Sequence, residues 1–212
     1  QHGWWVQEQG GEIDDDFVQS WLQRIGDGRL RLLITYRLHQ CQRTKASTEA
    51  ATNTLVAAVA LYPSDPWLQI ALAGNSWTKP YAHAAAAKAA VLAPNLAYAQ
   101  AANSLHAALV SFRDPGNALL RTNALKAIDH ANSCHVFGTW ETIHLAFAEG
   151  LVGRVEHAIA RFDELSARDK FPWIEHNLGH MLCLIAEKTT DPEQKRIYLE
   201  QSLEATETSL SH

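Results

Sequence analysis

Cysteine is scarce in this chain and badly placed for cross-linking. Cys41, Cys134 and Cys183 are odd in number and far apart, which argues against a disulfide framework and against a CxxC metal knuckle; buried free thiols are the expectation. Long apolar runs are also missing. The richest stretch, Ala82 to Leu92, is cut by His83 and Lys88 and falls short of the roughly 18 uninterrupted apolar residues of a membrane span, so no membrane span is expected. There is no excess of positive charge: the formal net charge is −5. The nearest basic cluster (Arg29, Arg31, Arg37, Arg43 and Lys45) is diluted by Leu and Gln and followed by no aromatic series, so direct nucleic-acid contact through this domain is not expected. A GxSxG elbow, a GxGxxG loop and a P-loop are all absent, and no catalytic residue or cofactor is expected. Prolines number only seven and sit mostly at segment edges, which favours helix.

What is present is enough to fold. A chain of 212 residues with 47% hydrophobic content can bury a continuous core without disulfides or metal. It begins with Gln1 and not Met, as expected of a chain that has lost a leader or of a domain cut from a longer protein. A cytoplasmic location is expected, or a periplasmic or secreted one if a leader preceded Gln1.

One pattern recurs. Ala51-Leu55-Ala58 runs to Pro63, and Ala82-Ala86-Ala89 runs to Pro94 with identical internal offsets. The frame returns as Ala124-Ile128-Ala131 and again as Ala158-Phe162-Leu165, at a spacing close to that of the first two copies; Tyr198-Ser202-Ala205 is a weaker copy. Positions i, i+4 and i+7 share one helical face, and Ala at the first lets helix backbones approach closely. The closing Pro cannot continue a helix and biases its predecessor away from the α region. Ser64 or Asp65 can then cap a new helix with Pro66 in its first turn, and Asp191-Pro192-Glu193 reads the same way. Second helical segments lie between the copies, at residues 66–76, 95–112, 138–149 and 173–187. Breaks fall at Gly74-Asn75, Asp114-Pro115-Gly116, Gly150 to Gly153 and Thr189 to Pro192. The gap between the second and third copies, from Ala82 to Ala124, is longer than the others, and the excess is assigned to a surface loop formed by "RDPGNALLRT".

These residues resemble the tetratricopeptide (TPR) family, whose first helix carries W-x2-L-G-x2-Y and whose second carries A-x3-F with a closing Pro. "HNLGHML" (residues 176–182) holds the Leu178-Gly179 pair, "KAAVLAPN" (88–95) resembles the repeat ending, and "AIARFDEL" holds Ala158 and Phe162. The copies are degenerate, and the resemblance runs from about residue 46 to 210. It implies an all-α fold of antiparallel helix pairs stacked as a right-handed superhelix, with an irregular α-helical bundle as the alternative. Residues 1–45 then form an extension of one or two helices packing on an array of residues 46–212. In the extension, "IDDDFVQSWLQRI" reads as a helix with acidic residues near its start. "RLRLLITYRLHQC" fits both strand and helix periodicity; helix is chosen because the segment after it needs an antiparallel partner. Trp4-Trp5 fit a loosely packed end buried against the first helices.

Eleven histidines invite a metal reading. His176 and His180 share a helical face at i, i+4, but Asn177 stands where an HExxH enzyme needs Glu, and spacing selects no third ligand among His144, His157 and Glu175. No metal site is assigned. In "HANSCH", neighbouring Cys134 and His135 diverge by about 100° on a helix, so a shared site is not expected. Cys183 sits in an apolar setting that makes a thiol inert. Trp67, Trp140 and Trp173 stand near the starts of first helices, where packing between layers is expected.

The resemblance implies a scaffold that binds a protein or peptide partner on its concave face. Aligned on the family pattern, Asn103, His106, Glu141, His176 and His180 line that groove, and their mixed polarity suits a peptide held by hydrogen bonds. A homo-oligomer is compatible with such an array. Two alternatives belong to other classes. One is the repeat domain of a transcriptional regulator, similar in layout to ToxR-like activators with a winged helix upstream. The other is a metal-dependent enzyme that uses the histidines.

Overall fold

The computed structural model describes residues 20, 23–42, 45–75, 79–134, 138–169 and 171–210, with backbone alone at 37–42 and 45–48. Among them, ten helices follow one another from Gly28: α1 (Gly28–Gln42), α2 (Lys45–Leu61), α3 (Pro66–Asn75), α4 (Pro80–Leu92), α5 (Ala97–Arg113), α6 (Ala118–Asn132), α7 (Thr139–Leu151), α8 (Val155–Arg168), α9 (Trp173–Lys188) and α10 (Pro192–Leu210). No strand occurs among the described residues. Trp4-Trp5 and most of the helix expected at 13–25 lie outside them.

Local chemistry sets the boundaries. Asp65, and not Ser64, caps α3: its Oδ1 accepts from Trp67 N (2.9 Å) and Leu68 N (3.0 Å). Asp191 does the same for α10, accepting from Glu193 N (2.9 Å) and Gln194 N (3.0 Å). Each satisfies donors that a helix start leaves without intrahelical partners. Asp27 caps α1, the segment with ambiguous periodicity, through Arg29 N and Leu30 N. The turn from α7 to α8 requires Gly153 at φ 94°, a conformation that L side chains rarely adopt.

Helices pair in sequence as α1/α2, α3/α4, α5/α6, α7/α8 and α9/α10. Each pair packs on the next, and first helices meet first helices along α3, α5, α7 and α9. Contacts confined to neighbours define a repeat stack, and the fold is a TPR-like superhelix of antiparallel helix pairs. The recurring frame is its seam: every position of the four main copies is buried, each copy on the second helix of a pair. At Gly179, α9 comes close to α10: a Cβ there would stand 3.0 Å from the Ser202 carbonyl oxygen. The main core runs from α5 to α10, a smaller one joins α1 to α4, and Ile70, Ala89 and Ala99 bridge the space between. Between α5 and α9, α7 is buried without interruption from Ile143 to Leu151.

Three expectations change. The extra length of the third copy does not form a long loop; only 114–117 are loop, and Ala118 to Thr122 open α6, whose start Asn117 caps through Leu120 N (3.3 Å). Ala, Leu and Arg are good helix formers, so the insertion lengthens helices. Trp67, Trp140 and Trp173 do not fill the space between layers but remain 49%, 40% and 50% exposed. Each occupies the first or second position of its helix, at the end of the layer. Finally, the thiols of Cys134 and Cys183 are free but only partly buried.

Candidate interaction edge

The first helices α5, α7 and α9 lie side by side, and ring contacts join the starts of α5 and α7 and the approach to α9 along one edge of the stack. There the rings form a series. Tyr98 on α5 stacks on His144 of α7 at 5.6 Å and 15°. His144 meets Trp140 at 6.2 Å, and Trp140 meets Phe171 edge to face at 5.6 Å. Along α9, Trp173 packs edge to face on His176 at 5.1 Å, and His180 does so on Phe147 of α7 at 5.5 Å. Beside Trp140 and Phe171, Asp169 and Thr139 complete a shallow recess. Thr139 Oγ1 donates to Asp169 Oδ2 at 2.5 Å; that bond, aided by the Arg168 charge, holds the Asp169 carboxyl below its usual range, so it stays ionised.

The five residues nominated from sequence do not form one continuous groove. Asn103 is half-buried on α5. His106 is only 3% exposed, so it can shape a surface from beneath but offers little to touch. Glu141 is half-buried in the first turn of α7 with its carboxylate folded over Gly138, beside the helix N-terminus. His176 and His180 are on α9, where each meets an aromatic ring. The buried length of α7 separates α5 from α9, so the open surface is the edge where these helices begin and not a trough across their middles.

Away from this edge, a chain of hydrogen bonds runs from the C-terminal end of α5 to its middle. Arg113 Nη1 is 3.4 Å from His83 Nε2, and His83 Nδ1 is 2.9 Å from His106 Nδ1. Because an arginine can only donate, His83 carries its proton on Nδ1 and donates to His106, whose ring in turn donates to the Ala73 carbonyl. The chain links α3, α4 and α5 and requires neutral imidazoles. Burial, reinforced by His83 and His144, lowers the His106 pKa to about 3, and burial lowers that of His144 to about 4. Burial also lowers His83 and His180, the first further depressed by Arg113 and the second by His176. These four rings are therefore neutral at neutral pH and serve as hydrogen-bonding and stacking groups. Among the described residues, no three His, Cys, Asp or Glu side chains are grouped to hold a metal.

A second polar centre escaped the sequence reading. Glu149 on α7 is fully buried; its carboxylate meets Arg161 Nε at 2.7 Å and His157 Nδ1 at 3.0 Å, both on α8, and accepts from Asn132 Nδ2 of α6 at 3.3 Å. Arg161 Nη2 also donates to Asn132 Oδ1 at 2.6 Å. The network joins a carboxylate in the core to partners that reach the surface, and holds three helices together. The aromatic edge did leave a signal in the sequence: Trp67, Tyr98 and Trp140 each follow a seam alanine, Ala51, Ala82 and Ala124 respectively, at one and the same offset. They occupy the same place in successive first helices.

No protein-family model matches the chain, and no curated protein matches it. Among solved structures it is similar to the human IFIT1 dimer with PPP-AAAA, at TM-score 0.59 and 13% identity, over 99% of this chain and 51% of that one. The chain thus spans about half the length of that protein, and at this identity the likeness concerns the fold.

Proposed function

We propose that this chain is a non-catalytic scaffold that holds a protein or peptide partner, and that the partner docks on the edge formed by the first turns of α5, α7 and α9. The observation that carries this reading is the ring series from half-buried Tyr98 through buried His144 to Trp140 and half-buried Phe171, continued along α9 by Trp173 and His176, from which the indoles of Trp140 and Trp173 stand 40% and 50% exposed. Half-exposed indoles on a rigid layer are pre-ordered contact surface, and tryptophan is among the residues that most often dominate binding energy. Asn103, Glu141, His176 and His180 supply hydrogen bonds around it, while His106 sets the position of His83.

The PPP-AAAA bound by the similar IFIT1 structure is polyanionic. This edge is itself acidic and would repel such a ligand: Asp169 is ionised, Glu175 and Glu141 are nearby in α9 and α7, and Arg168 is already 3.4 Å from Asp169. A phosphate-rich ligand needs unpaired cations, so a peptide fits better.

The test is selection from a random displayed-peptide library against the chain. Recovered peptides should bind with Kd in the micromolar range, and Trp140→Ala with Trp173→Ala should weaken them at least about thirtyfold, the equivalent of losing about 2 kcal/mol at a hot spot. His180→Ala should weaken them several-fold. Peptides indifferent to both tryptophans would remove the edge from the proposal. A 5′-triphosphate oligonucleotide binding more tightly than every peptide would replace the partner class.

A further inference from the structure

Pairing of α10 with α9 uses one side of α10: Ala205 is buried, Ser202 Oγ donates to the Gly179 carbonyl at 2.8 Å, and Ser209 Oγ donates to the Pro172 carbonyl at 3.0 Å. On the other side Leu199, Leu203 and Leu210 are 43%, 59% and 82% exposed, and Pro192 is exposed with them. At about 100° per residue these four fall within roughly 40° of one another around the helix, as a single stripe. Lys195 flanks it on one side, Arg196 and Glu207 on the other.

The spacing of the stripe is symmetric. The step from Pro192 to Leu199 equals the step from Leu203 to Leu210, with the shorter step from Leu199 to Leu203 between them, so the pattern reads the same in both directions about residue 201. A single exposed leucine is ordinary; a palindromic row matches an antiparallel copy of itself. We propose that α10 is a self-association surface, on which a second copy of this chain packs its own α10 antiparallel about a two-fold axis near residue 201. In that register Leu199 meets Leu203 of the second copy, and Pro192 meets Leu210. An antiparallel two-fold pair brings like flanks together, which sets Arg196 level with Glu207 of the second copy. Arg196 is already held in place by Glu193 at 2.7 Å and Glu200 at 2.6 Å. An isologous contact of this kind closes on itself and gives a dimer.

One pair of helices, each of 19 residues, makes a small interface, so the expected dissociation constant is in the range of about 10–100 μM. Sedimentation equilibrium over about 1–300 μM should therefore show a monomer–dimer transition. Leu199→Glu with Leu203→Glu should leave a monomer throughout, with far-ultraviolet circular dichroism unchanged. Val91→Glu, which replaces a still more exposed apolar residue on α4, should leave the dimer intact. Arg196→Glu and Glu207→Arg should each weaken dimerisation about three- to tenfold, and together they should restore it. A chain that stays monomeric at all concentrations, or a dimer that survives the double leucine substitution, overturns the proposal. Failure of the charge exchange to restore dimerisation overturns the antiparallel register. None of these residues belongs to the aromatic edge, so loss of the peptide-binding reading would leave this one standing.

Discussion

Replacing Arg161 with alanine isolates the energetics of the buried centre between α6, α7 and α8. The Glu149 carboxylate has no exposure to water and draws its main compensation from Arg161, through Nε at 2.7 Å and Nη2 at 3.3 Å. Removing one partner of such a pair strands the other charge, at a usual cost of about 3–5 kcal/mol. Two features place this site at the low end. His157 and Asn132 still reach the carboxylate, and Arg161 is itself 26% exposed, so its removal opens a route for water. We expect Arg161→Ala to lower stability by about 3 kcal/mol, read as the shift of urea midpoint by circular dichroism at pH 7. Glu149→Leu strands a guanidinium that is 26% exposed and still bonded to Asn132, so it should cost less, about 2 kcal/mol. The double variant should then lie well above Arg161→Ala, because no stranded carboxylate remains. If Arg161→Ala shifts stability by under about 0.5 kcal/mol, or if the two losses simply add, the carboxylate does not depend on Arg161 and the reasoning fails.

Stability should fall on mild acidification. His106 and His144, with pKa values lowered to about 3 and about 4 by burial, stay neutral in the fold, while in the unfolded chain they take up protons below about 6.5. The unfolded state then binds more protons, so their contribution is whole above pH 6.5 and is lost as pH falls towards 4. The loss amounts to about 3–4 kcal/mol between pH 7 and 5 for the pair; urea titrations at the two pH values check it, and equal midpoints would refute it. His106→Gln should flatten this dependence by about half. Asp65→Ala removes two hydrogen bonds to the start of α3 and should cost about 1 kcal/mol, or about 2–4 °C in Tm. Gly179→Ala should cost about 1–2 kcal/mol, since overpacking outweighs the gain in helix propensity. Adding Thr206→Ala should recover only part of this, because the Ser202 carbonyl at 3.0 Å is backbone and cannot turn aside.

Much of the layered architecture was legible because it is written in local chemistry. Pro66 after Asp65, Pro192 after Asp191 and the Gly150–Gly153 break mark boundaries that the helices closely observe. The seam alanines were equally legible, since a face repeated at fixed offsets can be buried only by stacking. The candidate site was less so. His106 carries a polar label that suggests a groove, yet its partners, His83 and the Ala73 carbonyl, come from α4 and α3, and no spacing within α5 announces them. Glu149 likewise depends on Asn132, His157 and Arg161 being brought together from two other helices. Periodicity reports which side of a helix is buried but not how far away its neighbour lies, and that distance decided the fate of the tryptophans.

The position of the aromatic edge follows from the alanines. Where Ala51, Ala82, Ala124 and Ala158 form the contact, helix axes can approach towards the lower end of the usual range of about 8–10 Å, and the layers close over α7 so fully that it is buried without a break from Ile143 to Leu151. A gap of that width has no room for an indole. Tryptophan in such a sequence must leave the seam, and the first turn of a helix, where the neighbouring layers no longer overlap, is the place that accepts it. Trp67, Tyr98 and Trp140 take that place at a constant offset beyond a seam alanine. The tight core and the ring series at its edge are thus two results of one pattern. Ala124→Leu should test this: by forcing α6 away from its neighbours it should destabilise the stack by about 1–3 kcal/mol. It should also loosen the Tyr98, His144 and Trp140 series on α5 and α7, raising the exposure of the indole to a collisional fluorescence quencher. Because seven tryptophans contribute to the emission, the comparison is made against the same substitution in a chain carrying Trp140→Phe. If quenching rises equally in both backgrounds, the seam does not control this edge, and the coupling between core spacing and binding surface is wrong.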